Sequence, residues 1–175
     1  MPYASSEFSL APGTAAPDAP FLDASGKTFR TKDILGRAEG LPVLFAFFKV
    51  SCPTCQLAWP YLQRLNGIYG GHAVHVVGVC QNDAASGKAF YVEFGNAGFD
   101  LLVDAGPSFA ASNAFGVESV PHLVLVSPDG TVERVTAGWS KKEIESLGRA
   151  LAAAQDLTAR LVVPPDDPVR DFQAG

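Results

Sequence analysis

Residues 43–55 of this chain are VLFAFFKVSCPTC, a continuous apolar run followed closely by two cysteines. Six apolar residues in a row, Val43–Phe48, are typical of a strand that is buried on both faces of a sheet. The amphipathic segment that follows should begin a helix near Cys52, with Pro53 at the first helical position, where its missing N–H is harmless. The stretch therefore predicts a strand, a cysteine pair and a helix in direct succession.

The spacing of the two cysteines suits redox chemistry. In the first turn of a helix, residues three apart lie on one face, so the sulfurs of Cys52 and Cys55 can meet. The partial positive charge of the helix N-terminus favours a thiolate at Cys52, and the thiolate is the species that attacks a disulfide. A bond that closes so short a loop restrains little of the unfolded chain. The pair is therefore predicted to exchange electrons, without a cofactor, rather than to hold the fold together.

The composition is that of one globular domain. The chain has 175 residues, of which 47% are hydrophobic and 18% charged, enough to bury a core. The net charge of -5 predicts no basic surface and therefore no nucleic-acid partner. The first residues show neither the basic nor the apolar region of a signal peptide, and no apolar run is long enough for a membrane segment. The expectation is a soluble, cytoplasmic protein.

The rest of the chain alternates between strand and helix patterns. Hairpins are predicted around residues 24–26 and 127–130, where turn-forming residues separate apolar segments. A right-handed crossover would place the strand at 43–48 beside and parallel to the next one. The result is an α/β fold with a central mixed sheet and helices on both faces. The further elements predicted from apolar periodicity are strands over 73–79 and 101–103, and helices over 84–94, 108–115 and from Ser140 onward.

Three segments are predicted along the chain. Residues 1–19 are rich in Ala, Pro, Ser and Gly and indicate an irregular N-terminal arm. Residues 20–160 contain the strand and helix patterns and form the domain. Residues 161–175 include three prolines within five positions, which is typical of a frayed C-terminal tail.

In this order and spacing the motifs resemble the thioredoxin-like superfamily. The closer likeness is to its redoxin branch, which includes TlpA/ResA-type thiol–disulfide oxidoreductases and AhpC/TSA peroxiredoxins. The features that carry the resemblance are the N-terminal hairpin, the Cys-x-x-Cys pair with Pro60 five residues later, the segment that ends in Val120-Pro121, and Gly138. The resemblance implies a three-layer, thioredoxin-like α/β/α fold with an N-terminal β-hairpin and an inserted αβ segment.

The resemblance also implies an activity and roles for the matching residues. The chain would be a thiol–disulfide oxidoreductase in which Cys52 is the nucleophile and Cys55 the resolving thiol. Val120 and Pro121, joined by a cis peptide bond, would face the disulfide and bind an extended substrate. The expected partners are protein or small-molecule thiols and disulfides, together with a separate redox partner.

Several positions depart from the family pattern or have two interpretations. Ala46 lies where many relatives carry a buried acid that accepts the proton of the resolving thiol. His122 is either a substitute proton acceptor or a sheet histidine without a redox role. Lys49 would support a thiolate or be a solvated loop residue. Cys80, at the end of the neighbouring strand, is either a small core residue or a third thiol able to exchange with the pair.

Two other functions stay open from the sequence. A thiol peroxidase would share the fold and the Cys-Pro-Thr sequence, although its pattern has Thr or Ser and Pro where this chain has Lys49 and Phe45. A Cu(I) chaperone would bind the ion through both thiolates, although copper carriers on this fold favour a wider spacing. A zinc site is not predicted, because Cys80 and a distant histidine do not provide a second ligand pair.

Overall fold

The computed structural model describes residues 10–94 and 98–175, and its elements follow the predicted alternation. In chain order they are β1 (Pro20–Leu22), β2 (Thr28–Arg30), α1 (Thr31–Arg37), β3 (Val43–Phe48), α2 (Pro53–Tyr69), β4 (His75–Cys80), α3 (Ala84–Glu93), β5 (Asp100–Val103), α4 (Ala110–Ala114), β6 (His122–Val126), β7 (Val132–Ala137), β8 (Trp139–Ser140), α5 (Lys141–Ala154) and β9 (Phe172–Gln173).

The strand with the unbroken apolar run lies inside a seven-stranded sheet of order β2-β1-β5-β4-β3-β6-β7. β3 is parallel to β4 and antiparallel to β6, with Ala46 opposite both Gly78 and Leu123. Because β3 has a neighbour on each side and helices over its faces, all six of its residues are buried. The predicted parallel pair and both predicted hairpins, β1–β2 and β6–β7, are present.

Alternate residues of β3 contact two different aromatic layers. Phe48 packs on Trp59 of α2 with ring centroids 4.2 Å apart, and Trp59 in turn lies 5.2 Å from Phe90 of α3. On the opposite face, Phe47 lies 5.4 Å from Phe115, which directly follows α4. The sheet is thus covered on both faces, and the predicted three-layer α/β/α fold is confirmed. None of the described helices is long and apolar enough to cross a membrane.

Helix α2 begins where the sequence predicts. Cys52 is its N-cap residue and Pro53 its first residue, while Pro60 lies inside it. On this helix Trp59 is fully buried and Tyr61 half-buried. Trp59 fills the space between Phe48 and α3.

The C-terminal segment does not fray, and that prediction was wrong. Val162 and Val163 are buried, and β9 pairs antiparallel with β8. The indole N–H of Trp139 donates to the carbonyl of Arg170 at 2.7 Å. The composition of residues 161–175 suggested a loose tail, but partners far back in the chain bind several of its backbone groups.

The N-terminal arm is described only from residue 10 onward, so residues 1–9 of the predicted arm lie outside the described part. The remainder is irregular but not detached from the domain. Gly13 donates from its backbone N–H to the carbonyl of Val132 at 2.8 Å, and Ala15 forms an isolated bridge with Thr131. The division into arm, domain and tail at residues 19 and 160 stays a prediction.

Candidate active site

The two paired cysteines lie at the start of α2, just beyond the end of β3. The backbone N–H of Cys55 donates to Sγ of Cys52 at 3.2 Å, and the backbone N–H of Cys52 donates to the carbonyl of Lys49 at the same distance. Cys52 is half-buried and Cys55 fully buried, and both are free thiols. The accessible sulfur is therefore that of Cys52, at the positive end of a helix of 17 residues.

The second thiol is shielded from water. Burial raises the pKa of the Cys55 thiol, and the adjacent Cys52 sulfur raises it further. Ala46 on β3 is buried and has no carboxylate that could accept the proton of Cys55. Cys55 is therefore held as a neutral thiol while Cys52 is the group open to solvent.

The loop before β6 brings two predicted site residues to Cys52. The Val120–Pro121 peptide bond is cis, as the resemblance implies. The Cys52 thiol donates to the carbonyl of Val120, with 3.3 Å between Sγ and oxygen, although the two residues are 68 positions apart. The backbone N–H of Gly138 donates to the carbonyl of Pro121 at 2.8 Å and so ties this loop to the β7–β8 bend. Cys52, Cys55 and Val120 thus form one constellation.

Four further residues at this constellation were not predicted. Thr54 donates from Oγ1 to the carbonyl of Ala174 at 2.7 Å, and the same oxygen accepts from Nε2 of Gln173 at 2.7 Å. Gly175 lies against the carbonyl of Val120 so closely that a Cβ on it would overlap that oxygen. No local pattern in residues 171–175 points to the active site, because these contacts join positions about 120 residues apart.

His122 lies on the far side of the sheet from α2. It is opposite Phe47 in the β3–β6 pairing, and its ring meets the Phe47 ring edge-on with centroids 6.4 Å apart. Burial lowers the pKa of the imidazole, and Glu118 opposes that effect. Neither ring nitrogen has a hydrogen-bond partner among the described residues. The placement favours a sheet histidine, and a role as proton acceptor stays a prediction.

Among the described residues, the side chains of Lys49 and Cys80 form no hydrogen bond with Cys52 or Cys55. The exposed Lys49 ammonium lies 5.9 Å from the ring centroid of Phe109, and only its backbone carbonyl holds Cys52. Cys80 is buried, its sulfur accepts from the backbone N–H of Asn82 at 3.4 Å, and burial raises its pKa to about 11. Both placements favour the structural alternative, and the two functional roles stay predictions.

A polar hollow borders Val120 and Lys49. Gln81 and Ser112 line it and are joined to each other, with Nε2 of Gln81 donating to Oγ of Ser112 at 2.9 Å. Neither residue was singled out from the sequence. In the described part of the chain, no three His, Cys, Asp or Glu side chains are grouped in a way that could hold a metal ion.

Comparison with known sequences supports the same family. The AhpC/TSA family model matches residues 12–135. The thiol-disulfide oxidoreductase ResA of Geobacillus thermodenitrificans is 26% identical over 134 residues, which cover 77% of this chain and 74% of that protein. ResA of Halalkalibacterium halodurans is 23% identical over 124 residues, which cover 70% of this chain and 67% of that protein.

Comparison with solved structures supports the fold. The structure of MTB dsbF in its mixed oxidised and reduced forms superposes with a TM-score of 0.64 and 25% identity, over 80% of this chain and 97% of that one. A putative thiol:disulfide interchange protein DsbE from Chlorobium tepidum superposes with a TM-score of 0.68 and 22% identity, over 84% of this chain and 99% of that one.

The resemblance inferred from the motifs is thereby confirmed. The matched segment, residues 12–135, contains the N-terminal hairpin, the cysteine pair and the cis-proline loop. By the match of its family model over most of its length, this chain belongs to the AhpC/TSA family.

Proposed function

We propose that Cys52 attacks a disulfide substrate and that Cys55 then resolves the mixed disulfide. The chain is a thiol–disulfide oxidoreductase, as the sequence predicted and as its ResA relatives confirm; the roles of the two cysteines are the proposal. The observation that carries it is the 3.2 Å hydrogen bond from the Cys55 backbone N–H to Cys52 Sγ. The bond points a backbone N–H at the accessible sulfur, at the N-terminal end of α2.

The reaction has two exchange steps. The Cys52 thiolate attacks one sulfur of the substrate disulfide, forms a mixed disulfide and expels the other substrate sulfur as a thiolate, which takes up a proton from water. Cys55 then loses its proton, attacks Cys52 Sγ and expels the remaining substrate thiolate. The substrate gains two electrons and the protein is left with a Cys52–Cys55 disulfide. The same steps in reverse oxidise a dithiol.

The environment of Cys55 explains the order of these steps. While Cys52 is free, burial and the neighbouring sulfur raise the pKa of Cys55, so Cys55 does not compete as the first nucleophile. Formation of the mixed disulfide removes the charge on Cys52 and with it one of the causes of that raised pKa. Cys55 thus becomes easier to deprotonate only when there is a bond for it to attack.

The proposed substrates are disulfides and dithiols of proteins and of small molecules. The backbone of Val120, beside Cys52, would pair with an extended segment of a protein substrate by main-chain hydrogen bonds. Such pairing reads the backbone of the substrate rather than its side chains. A separate redox partner would restore the starting state of the pair. Localisation in the cytoplasm stays a prediction, which fractionation of cells that produce the full-length protein would test.

The test is capture of the mixed disulfide. The reduced Cys55→Ser variant is mixed with glutathione disulfide and analysed by intact mass spectrometry. We expect a glutathione adduct on Cys52 that persists, whereas the unmodified chain proceeds to its internal disulfide. Cys80→Ala serves as the control and should behave like the unmodified chain.

Two results would contradict the assignment. An adduct that forms on Cys52→Ser but not on Cys55→Ser would reverse the roles of the two cysteines. Rapid consumption of hydrogen peroxide by the reduced protein, together with slow reaction with disulfides, would favour the peroxidase instead.

A further inference from the structure

We propose that the C-terminal strap, residues 172–175, occupies the place of a substrate strand beside Val120 and restricts the access of protein disulfides to Cys52. The inference rests on the proposed function, because it assumes that a protein substrate pairs with the backbone of Val120. It concerns a different question, namely which disulfides reach the accessible sulfur.

The path of the strap leads directly to the cis-proline loop. β9 pairs antiparallel with β8, so that Gln173 lies opposite Trp139 and Phe172 opposite Ser140. Trp139 follows Gly138, whose backbone N–H is bound to the carbonyl of Pro121. The pairing therefore delivers the last residues of the strap to the loop that flanks Cys52.

The strap is anchored to the cysteine pair itself. Thr54, between the two cysteines, binds the carbonyl of Ala174 and the side-chain amide of Gln173, each at 2.7 Å. Thr54 is only 4% exposed, so its hydroxyl has little access to water as an alternative partner. These two bonds hold the strap against the first turn of α2, next to Cys52.

Backbone contacts fill the remaining space. A Cβ on Gly138 would lie 2.7 Å from the carbonyl oxygen of Gln173 and 3.1 Å from the nitrogen of Gly175. A Cβ on Gly175 would overlap the carbonyl oxygen of Val120. The strap thus packs directly on the cis-proline loop. While Gly175 is in place, a substrate strand cannot reach the side of Val120 that carries its carbonyl group.

The strap is suited to be displaced. Its Phe172 side chain is 63% exposed, so release exposes little additional apolar surface from that side chain. A neutral hydrogen bond shifts an equilibrium by roughly 2- to 10-fold, so the two Thr54 contacts make the open form a minority state without locking the site. When only the open form binds a substrate, its apparent affinity falls in proportion to the open fraction. The strap should lower the reaction rate of small disulfides less than that of protein disulfides, because the half-buried Cys52 sulfur can react with them without strand pairing.

The test compares two substrates on three chains: the full chain, a chain that ends at Phe172, and the full-length Phe172→Ala variant as the matched control. Each reduced protein reacts in a single turnover with insulin, as a protein disulfide, and with glutathione disulfide. We expect removal of residues 173–175 to raise the insulin-to-glutathione ratio of rate constants by about ten-fold. Phe172→Ala keeps the contacts with Thr54 and Val120 and should leave the ratio within about two-fold.

A second variant covers the case in which the shortened chain does not fold, which circular dichroism would show. Gln173→Ala removes one of the two Thr54 contacts and should raise the same ratio by about two- to three-fold. A ratio that is unchanged or lower in both variants overturns the role of the strap. A full chain that reacts with neither disulfide overturns the proposed function instead, and the small substrate separates these two failures.

Discussion

The two faces of strand β3 carry similar apolar side chains but contribute differently to the protein. The face with Ala46 and Phe48 packs under α2 and leads to the buried thiol of Cys55. The face with Phe47 packs on Phe115 and lies beside His122 of β6, whose two ring nitrogens have no partner among the described residues. A titratable group that directly follows the cis-proline loop can thus be separated from the reactive sulfur by the thickness of the sheet.

The separation of the two faces predicts that activity depends on one of them only. Cys52→Ser removes the nucleophile and should lower the rate of disulfide exchange by about 10³-fold or more. His122→Leu removes only a side chain on the opposite face and should keep the rate and its pH profile within about three-fold of the unmodified chain. Stopped-flow measurement of exchange with glutathione disulfide between pH 5 and 9 compares the variants.

His122→Ala with added imidazole gives a second test of whether activity is independent of His122. A folded His122→Leu chain that loses activity, together with recovery of His122→Ala by imidazole, would make His122 the proton acceptor. The two faces would then be coupled after all.

The face under α2 should also be sensitive to added volume. A Cβ on Gly78 would overlap the Tyr91 hydroxyl, which donates to the carbonyl of Asp100 at 3.1 Å. Gly78→Ala should therefore lower the free energy of unfolding by about 2–4 kcal/mol, from overpacking and the loss of this bond. Gly36→Ala in α1 meets no atom within 4 Å and should be neutral or stabilising by up to about 1 kcal/mol. Urea unfolding of both variants gives the comparison, and equal midpoints would show that Tyr91 moves aside at little cost.

The sequence predicted what depends on local pattern. The run Val43–Phe48 and the Cys-x-x-Cys spacing determine the central strand and the start of α2. Both signals, the hydrophobic pattern of a strand and the residues that start a helix, depend on only a few neighbouring residues. The placement of the C-terminal strap was not predictable in this way. Its contacts with Thr54 join positions about 120 residues apart and involve a hydroxyl, an amide and a carbonyl, groups that occur everywhere in a sequence.

His122 shows a different limit of sequence reasoning. Its position next to Pro121 suggested proximity to the sulfurs, but consecutive residues of a strand point to opposite faces. Leu123 lies opposite Ala46, on the face that α2 covers, and His122 lies opposite Phe47. The register of β6 against β3 decides between these two positions, and one residue of slip would have reversed them.

The smallest expected effect concerns the stability of the face that carries His122. Its imidazole is 4% exposed, neither ring nitrogen has a partner among the described residues, and burial lowers its pKa below the usual range of histidine. Because the unfolded chain then binds the proton more readily than the folded one, the protein should lose stability as the pH falls below about 6.5.

His122→Leu removes the unpaired polar atoms and should raise the free energy of unfolding by about 1 kcal/mol at pH 7. The gain should be larger at pH 5, where the imidazole of the unmodified chain opposes folding. Urea unfolding of both chains at the two pH values measures it. A variant that is less stable than the unmodified chain, or a gain that shrinks at pH 5, would mean that the imidazole has a favourable partner, with Glu118 as the first candidate because it opposes the lowering of the pKa.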